Sequence, residues 1–254
     1  MSNSDFTGKV ALVTGAGSGI GRAAATAFAA RGARVAVADI NAEGGAETVD
    51  TIVAAGGEAV FVLTDVTRGT DVAALVAATV ERWGRLDYAH NNAGTVGPTA
   101  YTADYAEEDW DRVVAINLTS VFLCIKHEVP AMIAGGGGAI VNTSSGAGLV
   151  GFPGMPAYVA TKHGVIGLTK ASAIEYARAG IRINAVCPGS TRTAMLEGFM
   201  GGDPKMERMM AGGTPLHRLA EAHEIAAAVV WLCSDEASFV TATAMPVDGG
   251  AVAQ

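Results

Sequence analysis

The segment Ala157-Tyr158-Val159-Ala160-Thr161-Lys162-His163 sets a phenol and an ammonium four residues apart just after Pro156, where a helix is expected to start. At that spacing both side chains stand on one face, about one turn apart. A free phenol titrates near pH ~10, too high for proton exchange at neutral pH, and a neighbouring cation favours its charged form. On that ground Tyr158 is expected to have a lowered pKa and to work as an acid-base group. The same spacing also fits an ordinary amphipathic helix with Tyr and Lys at its edge. Chemistry requires that the rest of the chain deliver a cofactor and a hydrogen-bonding serine to the same place.

Two stretches offer partners. Thr143-Ser144-Ser145 ends a short apolar run and precedes Tyr158 across the Gly- and Pro-rich segment 146–156. A serine hydroxyl facing the same pocket is one reading; a capping or turning role is the other. Asn117 falls among Trp110, Val113, Val114, Val121, Phe122 and Ile125 on an apolar helical face. A buried amide needs all its donors and acceptors paired, which points to a held water or to backbone groups.

The cofactor signal is N-terminal. Lys9 to Val13 leads into Thr14-Gly15-Ala16-Gly17-Ser18-Gly19-Ile20-Gly21 and then into an alanine-rich helix closed by Arg31-Gly32. Strand, glycine loop and helix are the context of a phosphate cradle, because glycines admit a close pyrophosphate and the helix N-terminus offers free N–H groups. The spelling Thr-Gly-x-x-x-Gly-Ile-Gly departs from the strict G-x-G-x-x-G. A second run, Arg34 to Ala38, ends in Asp39, whose carboxylate suits two ribose hydroxyls and repels a 2′-phosphate. Neither Ser18 nor Ile40 nor Asn41 supplies the cation a 2′-phosphate needs, so NAD is expected over NADP. Asp39 also fits as the N-cap of a helix from Ala42. Asp65 and Val66 follow the run Ala59 to Leu63, within reach of an adenine edge. Asn91-Asn92-Ala93-Gly94 follows Leu86 to Ala89, as a turn or as a brace of the cofactor pocket.

These groups sit at the carboxyl ends of apolar runs that alternate with helical segments. Helices are expected up to Gly56, over Asp71 to Trp83, from Glu107 to about Met132, from Pro156, and around Ile225 to Leu232. Ala139 to Asn142, Arg182 to Val186 and Thr243 to Val247 complete the strands. Such alternation implies an α/β fold, one doubly wound parallel sheet of about seven strands with helices on both faces. The helix from Pro156 carries a seam of small residues, Ala157, Ala160, Gly164, Gly167 and Ala171. Glycine inside a helix costs about 1 kcal/mol relative to alanine, so a packing reason is expected, either the sheet beneath or a partner subunit, and the seam is read as a homo-oligomer contact. From Ser190 to about Leu219 no continuous regular pattern is visible, and Met195, Met200, Met206, Met209 and Met210 are interspersed with Gly201-Gly202 and Gly212-Gly213. That suits an adaptable apolar lid over 190–219, with a surface loop as the other reading.

Composition bounds the rest. A chain of 254 residues, 50% hydrophobic and 17% charged, is expected to build a single domain over 1–254. The net charge of -8 and the lack of a basic run argue against nucleic acid and against an anionic membrane surface. Met1-Ser2-Asn3-Ser4-Asp5-Phe6 has neither a cationic start nor an apolar core, and no apolar run reaches ~18 residues, so a cytoplasmic protein is expected. Cys124, Cys187 and Cys233 read as reduced, buried fillers, and the histidines show no metal-ligand spacing, so no metal is expected.

Taken together, the chain resembles the short-chain dehydrogenase/reductase family over nearly its whole length. Thr14-Gly15 through Gly21 matches the family's cofactor loop, residues 91 to 94 its Asn-Asn-Ala-Gly, and Tyr158 with Lys162 its Tyr-x-x-x-Lys. Pro188-Gly189 with Thr193, and Val247-Asp248-Gly249-Gly250, match in order and spacing. The resemblance implies a Rossmann-like fold and hydride transfer between a nicotinamide and a secondary alcohol or ketone of largely apolar character. It implies catalytic roles for four residues. Tyr158 exchanges the proton, Lys162 lowers its pKa and holds the nicotinamide ribose, Ser145 rather than Ser144 orients the substrate oxygen, and Asn117 holds a water behind Lys162. The dinucleotide is implied to bind along Gly15, Ser18, Gly19, Ile20, Gly21, Asp39, Asp65, Val66, Asn92, Gly94, Pro188, Gly189, Thr191 and Thr193, with Tyr158 and Lys162. Thr193 is implied to meet the carboxamide. A homotetramer is implied as well. His90 stands where many relatives carry an apolar residue, and no catalytic role follows from that. A 3-oxoacyl reductase and a non-catalytic dinucleotide-binding sensor or scaffold are the alternatives. An epimerase or dehydratase is disfavoured by the short irregular segment, and carbon–carbon double-bond reduction by the four-residue Tyr–Lys spacing.

Overall fold

The structure is a computed structural model and describes residues 5–254; Met1 to Ser4, where a leader was sought, lie outside the described residues. The chain alternates strand and helix as β1 (Val10–Thr14), α1 (Gly19–Ala30), β2 (Arg34–Asp39), α2 (Ala42–Ala54), β3 (Glu58–Leu63), α3 (Gly69–Trp83) and β4 (Tyr88–Asn91). It continues through α4 (Glu107–Val114), a π-helical turn (Ala115–Thr119), α5 (Ser120–Ala134), β5 (Gly138–Thr143), α6 (Pro156–Tyr176) and β6 (Ile181–Pro188). Then come β7 (Thr191–Arg192), α7 (Ala194–Met200), α8 (Pro204–Gly212), β8 (Ala220–Glu221), α9 (Ala222–Cys233) and β9 (Ala244–Val247).

Seven strands form one parallel sheet in the order β3-β2-β1-β4-β5-β6-β9. Alternation along each strand decides which face a residue serves. Ala11, Val13, Val35 and Val37 pack with Ala24, Ala25 and Phe28 of α1 and with Ile225, Val229 and Val230 of α9. Their neighbours Val10, Leu12, Ala36 and Ala38 pack with Leu75 of α3, Val121, Ile125 and Val129 of α5, and Val165 and Ala173 of α6. With both faces covered, the strands read as unbroken apolar runs rather than alternating ones.

The order reverses at β1. The chain steps outward through β2 and β3, then returns to add β4 on the opposite side of β1. Such a switch point leaves a crevice beyond the carboxyl ends of the two strands, the place where open α/β sheets bind ligands. β4 begins two residues later than its apolar run suggested: Asp87 uses its carboxylate on the Val10 N–H and on Arg85, and the ladder runs instead through His90 and Asn91. Those two polar residues are accommodated because each finds side-chain partners in the core. Among the described residues one helical stretch, 107–134, is long and apolar enough to cross a membrane; it also carries the buried polar Asn117, Ser120 and Glu128 and packs against α3 and α6.

Candidate active site

The glycine loop closes on itself between β1 and α1. Gly15 and Gly19 adopt φ of +62° and +51°, which side chains rarely tolerate. At Gly21 a Cβ would lie 2.1 Å from the Gly15 carbonyl oxygen, so only glycine lets the helix start this close to the strand end. The N-cap Ser18 makes no side-chain capping bond and the first turn holds no acidic residue. Its free N–H groups and positive dipole end therefore face the crevice without a counter-anion, as a pyrophosphate cradle requires. Ile20 turns inward and packs against the core.

Asp39 closes β2 beside this loop. Its Oδ2 accepts the Gly17 N–H at 2.7 Å and its Oδ1 accepts the Asn41 N–H at 2.8 Å. The N-cap of α2 is Asn41, which accepts from Glu43 and Gly44, so the capping role weighed for Asp39 belongs to its neighbour: Asp39 is still within the strand and faces the loop. Arg22 gave no signal in the sequence but pins this corner, donating to the carbonyls of Gly17 and Gly44, to Glu47 and to Thr48 Oγ1. Asp65, past the end of β3, is closed into a turn by the Thr67 N–H and hydroxyl, with Val66 partly buried beside it.

Across the switch point, Asn92 donates from Nδ2 to the carbonyls of Thr14 at 3.2 Å and Gly15 at 3.3 Å, while the N–H groups of Asn92 and Ala93 reach Thr14 Oγ1. A Cβ on Gly94 would stand 3.3 Å from Asn117 Oδ1 and 3.6 Å from Lys162 Nζ, so the brace runs into the second cluster.

That cluster joins β5, the π-helical turn and α6. Lys162 is 3% exposed and donates to the Thr143 carbonyl at 2.8 Å, its ammonium 5.6 Å from the centre of the Tyr158 ring. Tyr158 is half-buried and hydrogen-bonded to the Ser145 side chain. Successive residues of an extended strand point to opposite sides, and the two serines divide accordingly. Ser144 turns inward and donates to the Lys162 carbonyl at 2.8 Å, whereas Ser145 faces Tyr158 and accepts from the Ala147 N–H. Asn117 spends its amide on Thr95, accepting its N–H and donating to its carbonyl at 2.8 Å each, with Thr161 Oγ1 at 3.3 Å. Backbone groups, one of the partners weighed for it, therefore pair both ends of the amide. The π-helical turn that aims it sits in the middle of a stretch whose side-chain pattern reads as uninterrupted helix.

The lowered phenol pKa expected from spacing alone is not what the surroundings produce. Burial pushes Tyr158 up, with the Ser145 hydrogen bond opposing, and pushes Lys162 down to about 8. Both groups are driven toward their neutral forms, because the low-dielectric environment penalises the charged form of each; the bond from the ammonium to the Thr143 carbonyl works the other way. A hydroxyl pair backed by a lysine poised near neutral pH can take up or release one proton with little reorganisation.

The remaining positions lie on the other rim. β6 ends at Pro188; the Gly189 N–H donates to the Val247 carbonyl, and a Cβ on Gly189 would meet Asp248 Cα at 2.8 Å. Thr191 donates to the Gly189 carbonyl. Thr193 caps α7 through the Leu196 N–H, and its methyl group stands 3.1 Å from where a Gly19 Cβ would be. Segment 190–219, read as lacking regular pattern, contains α7 and α8; these start at the capping residues Thr193 and Asp203 and are joined through Gly201 and Gly202 at positive φ. Helices this short carry too few turns to show a period. Gly164 packs within the chain on the π-helical turn rather than on the sheet, since its Cβ would meet Leu118 Cδ2 at 2.9 Å, while Gly167 opens onto free space.

Comparison with known proteins agrees with this architecture. The family model described as Enoyl-(Acyl carrier protein) reductase matches residues 15–252. Cyclohexanol dehydrogenase of Acinetobacter sp. (strain SE19) is 47% identical over 249 residues, spanning 98% of this chain and 96% of that protein. The crystal structure of levodione reductase superposes with a TM-score of 0.95 at 42% identity, covering 98% of this chain and 99% of that one. A variant of actinorhodin polyketide ketoreductase with NADPH superposes with a TM-score of 0.93 at 39% identity, covering 97% and 98%.

Proposed function

The chain belongs to the short-chain dehydrogenase/reductase family, whose members bind a nicotinamide dinucleotide, and on that premise we propose that this oxidoreductase interconverts a cyclic, largely apolar secondary alcohol and its ketone with NAD. The observation that carries this reading is the Tyr158–Ser145 hydroxyl pair backed by the buried Lys162, set beyond the strand ends that also hold the glycine cradle. The cradle fits the dinucleotide: glycines where a Cβ would clash, and a helix N-terminus without an internal anion. When bound, the nicotinamide supplies or accepts the hydride. Tyr158 gives or takes the proton of the substrate oxygen, Ser145 hydrogen-bonds that oxygen as charge develops on it, and Lys162 replenishes the tyrosine's proton. Asn117 fixes Thr95, and with it Gly94, beside the lysine.

NAD is favoured by Asp39, whose carboxylate would face a 2′-phosphate with like charge. Arg22, the cation of that corner, is already engaged by two carbonyls, Glu47 and Thr48. Exposed apolar side chains at Val150, Phe152, Met195 and Phe199 on the loop before α6 and on α7 favour an apolar substrate, in keeping with the ring compounds named for cyclohexanol dehydrogenase and levodione reductase. We read segment 190–219 as the lid of the one domain and the chain as a cytoplasmic homotetramer. Its buried free cysteines suit a reducing compartment, and the apolar groove between α5 and α6, with exposed Phe122 and Ile133, suits a subunit contact. A 3-oxoacyl substrate is the second reading, favoured by the polyketide ketoreductase likeness.

The deciding experiment follows NADH and NADPH absorbance with a panel of cyclic secondary alcohols, cyclic ketones and 3-oxoacyl thioesters. Fastest turnover is expected for a cyclic substrate with NAD, and Asp39→Ser is expected to narrow the NAD-to-NADP ratio of kcat/KM by at least about tenfold. A wild-type preference for NADP overturns the cofactor assignment; turnover of thioesters alone transfers the substrate assignment to the second reading.

A further inference from the structure

His90 lies inside β4, paired in register with Val13 of β1 and Val141 of β5, and is fully buried. Its Nε2 stands 2.8 Å from Thr143 Oγ1, and its Nδ1 has no partner among the described residues. Burial lowers the imidazole's pKa to about 3, so the ring is neutral and carries one N–H. A proton on Nδ1 would be an unpaired buried donor. A proton on Nε2 leaves only a bare lone pair there and gives Thr143 its donor.

The direction of the remaining bonds follows. With its oxygen accepting from His90, Thr143 points its own hydroxyl proton at Asn92 Oδ1, a longer contact of 3.4 Å. That fixes which end of the Asn92 amide is which, and Nδ2 faces the carbonyls of Thr14 and Gly15 at 3.2 and 3.3 Å. The main-chain carbonyl of the same Thr143 holds Lys162. One threonine therefore reaches the glycine loop through its side chain and Asn92, and the lysine through its backbone, and the histidine sets its hydroxyl.

We propose that His90 is a positioning residue whose Nε2–H directs the hydrogen-bond chain His90–Thr143–Asn92, latching the glycine loop to the end of β5, whose Thr143 carbonyl holds Lys162. An apolar side chain of equal volume would fill the same space and leave the chain undirected. The inference rests on the dinucleotide-binding reading only for its ligand arm.

Two measurements test it. In the ligand-free protein, nitrogen-15 NMR is expected to show His90 as the Nε2–H tautomer without titration from pH 5 to 9; an Nδ1–H tautomer overturns the proposal. By titration calorimetry, His90→Phe, which keeps the ring and removes the donor, is expected to weaken the dinucleotide Kd about tenfold. His90→Gln, which restores an N–H near the same place, is expected to bind within about twofold of the parent. In a Thr143→Val background, His90→Phe is expected to change Kd by less than about twofold. Equal affinities of the Phe and Gln variants, or an undiminished Phe effect in the Thr143→Val background, overturn it. Should His90→Phe fail to fold, the tautomer decides. A parent protein that binds no dinucleotide would overturn the functional reading instead, and the tautomer would still decide this one.

Discussion

The Lys162 ammonium lies 5.6 Å from the centre of the Tyr158 ring, and burial pushes the two toward neutrality from opposite sides, the lysine down to about 8 and the phenol up. Tyr158→Phe removes the proton donor and keeps the ring's packing. Turnover is expected to fall about 10²- to 10⁴-fold with dinucleotide Kd nearly unchanged, measured by steady-state rates and calorimetry.

Lys162 carries a cost in the folded chain. Its pKa lies near 8 rather than 10.5, so between those values the unfolded chain binds more protons, and stability rises with pH by about 1.4 kcal/mol per unit. Below pH 8 that stability is absent. Lys162→Met is therefore expected to raise the ligand-free Tm at pH 7 while abolishing turnover, with the Tm advantage shrinking toward pH 10. A lower Tm at pH 7 would show that the bond to the Thr143 carbonyl outweighs the cost of burial.

The two adjacent serines separate stability from catalysis. Ser145→Ala is expected to lower kcat about 10²-fold, with a Tm loss no larger than that of one partly buried capping bond from the Ala147 N–H. Ser144→Ala removes a buried bond to the Lys162 carbonyl, so it is expected to cost about 1 kcal/mol in urea unfolding and to leave kcat within about tenfold. The reverse pattern would exchange their roles.

Glu128 is 1% exposed on α5 and bonded through Oε2 to Asn91 Nδ2, with Oε1 unpartnered among the described residues. Burial raises its pKa from 4.5 to about 7. The folded chain then holds the extra proton between those values, so this group's stabilisation is complete below 4.5 and is lost as pH rises through 7. Glu128→Gln is expected to flatten that decline and to be more stable than the parent at pH 8, as read by thermal melts from pH 4.5 to 8. An unchanged pH dependence would mean Glu128 is ionised throughout that range.

Gly167 faces open space on α6, unlike Gly164, which touches Leu118. Gly167→Leu is expected to leave the far-ultraviolet circular dichroism and Tm of the fold intact and to reduce the assembly size seen by light scattering. An unchanged size would remove this face from the subunit contact.

Much of the architecture was legible because it is written locally. The apolar runs ending at Thr14, Asp39 and Thr143, each followed by a helical segment, require strands covered on both faces. The π-helical turn at Ala115–Thr119 was not legible, since one extra residue per turn leaves no mark in a pattern that is apolar before and after it. Nor was Arg22: an arginine on a first helical turn reads as solvated, and its partners Gly44, Glu47 and Thr48 come from another helix.

The sequence by itself determined the strand–glycine–helix opening, the parallel alternation of elements, and the four-residue step from Tyr158 to Lys162, because each depends on neighbours within a few turns of chain. Only the tertiary structure decided that Ser145 faces the tyrosine while Ser144 holds the backbone of α6, that His90 speaks to the glycine loop through Thr143, and that burial sets the charge of Tyr158 and Lys162. Those outcomes depend on which side of the strand end each residue points to and on how much water the packed helices exclude, quantities that exist only once distant segments meet.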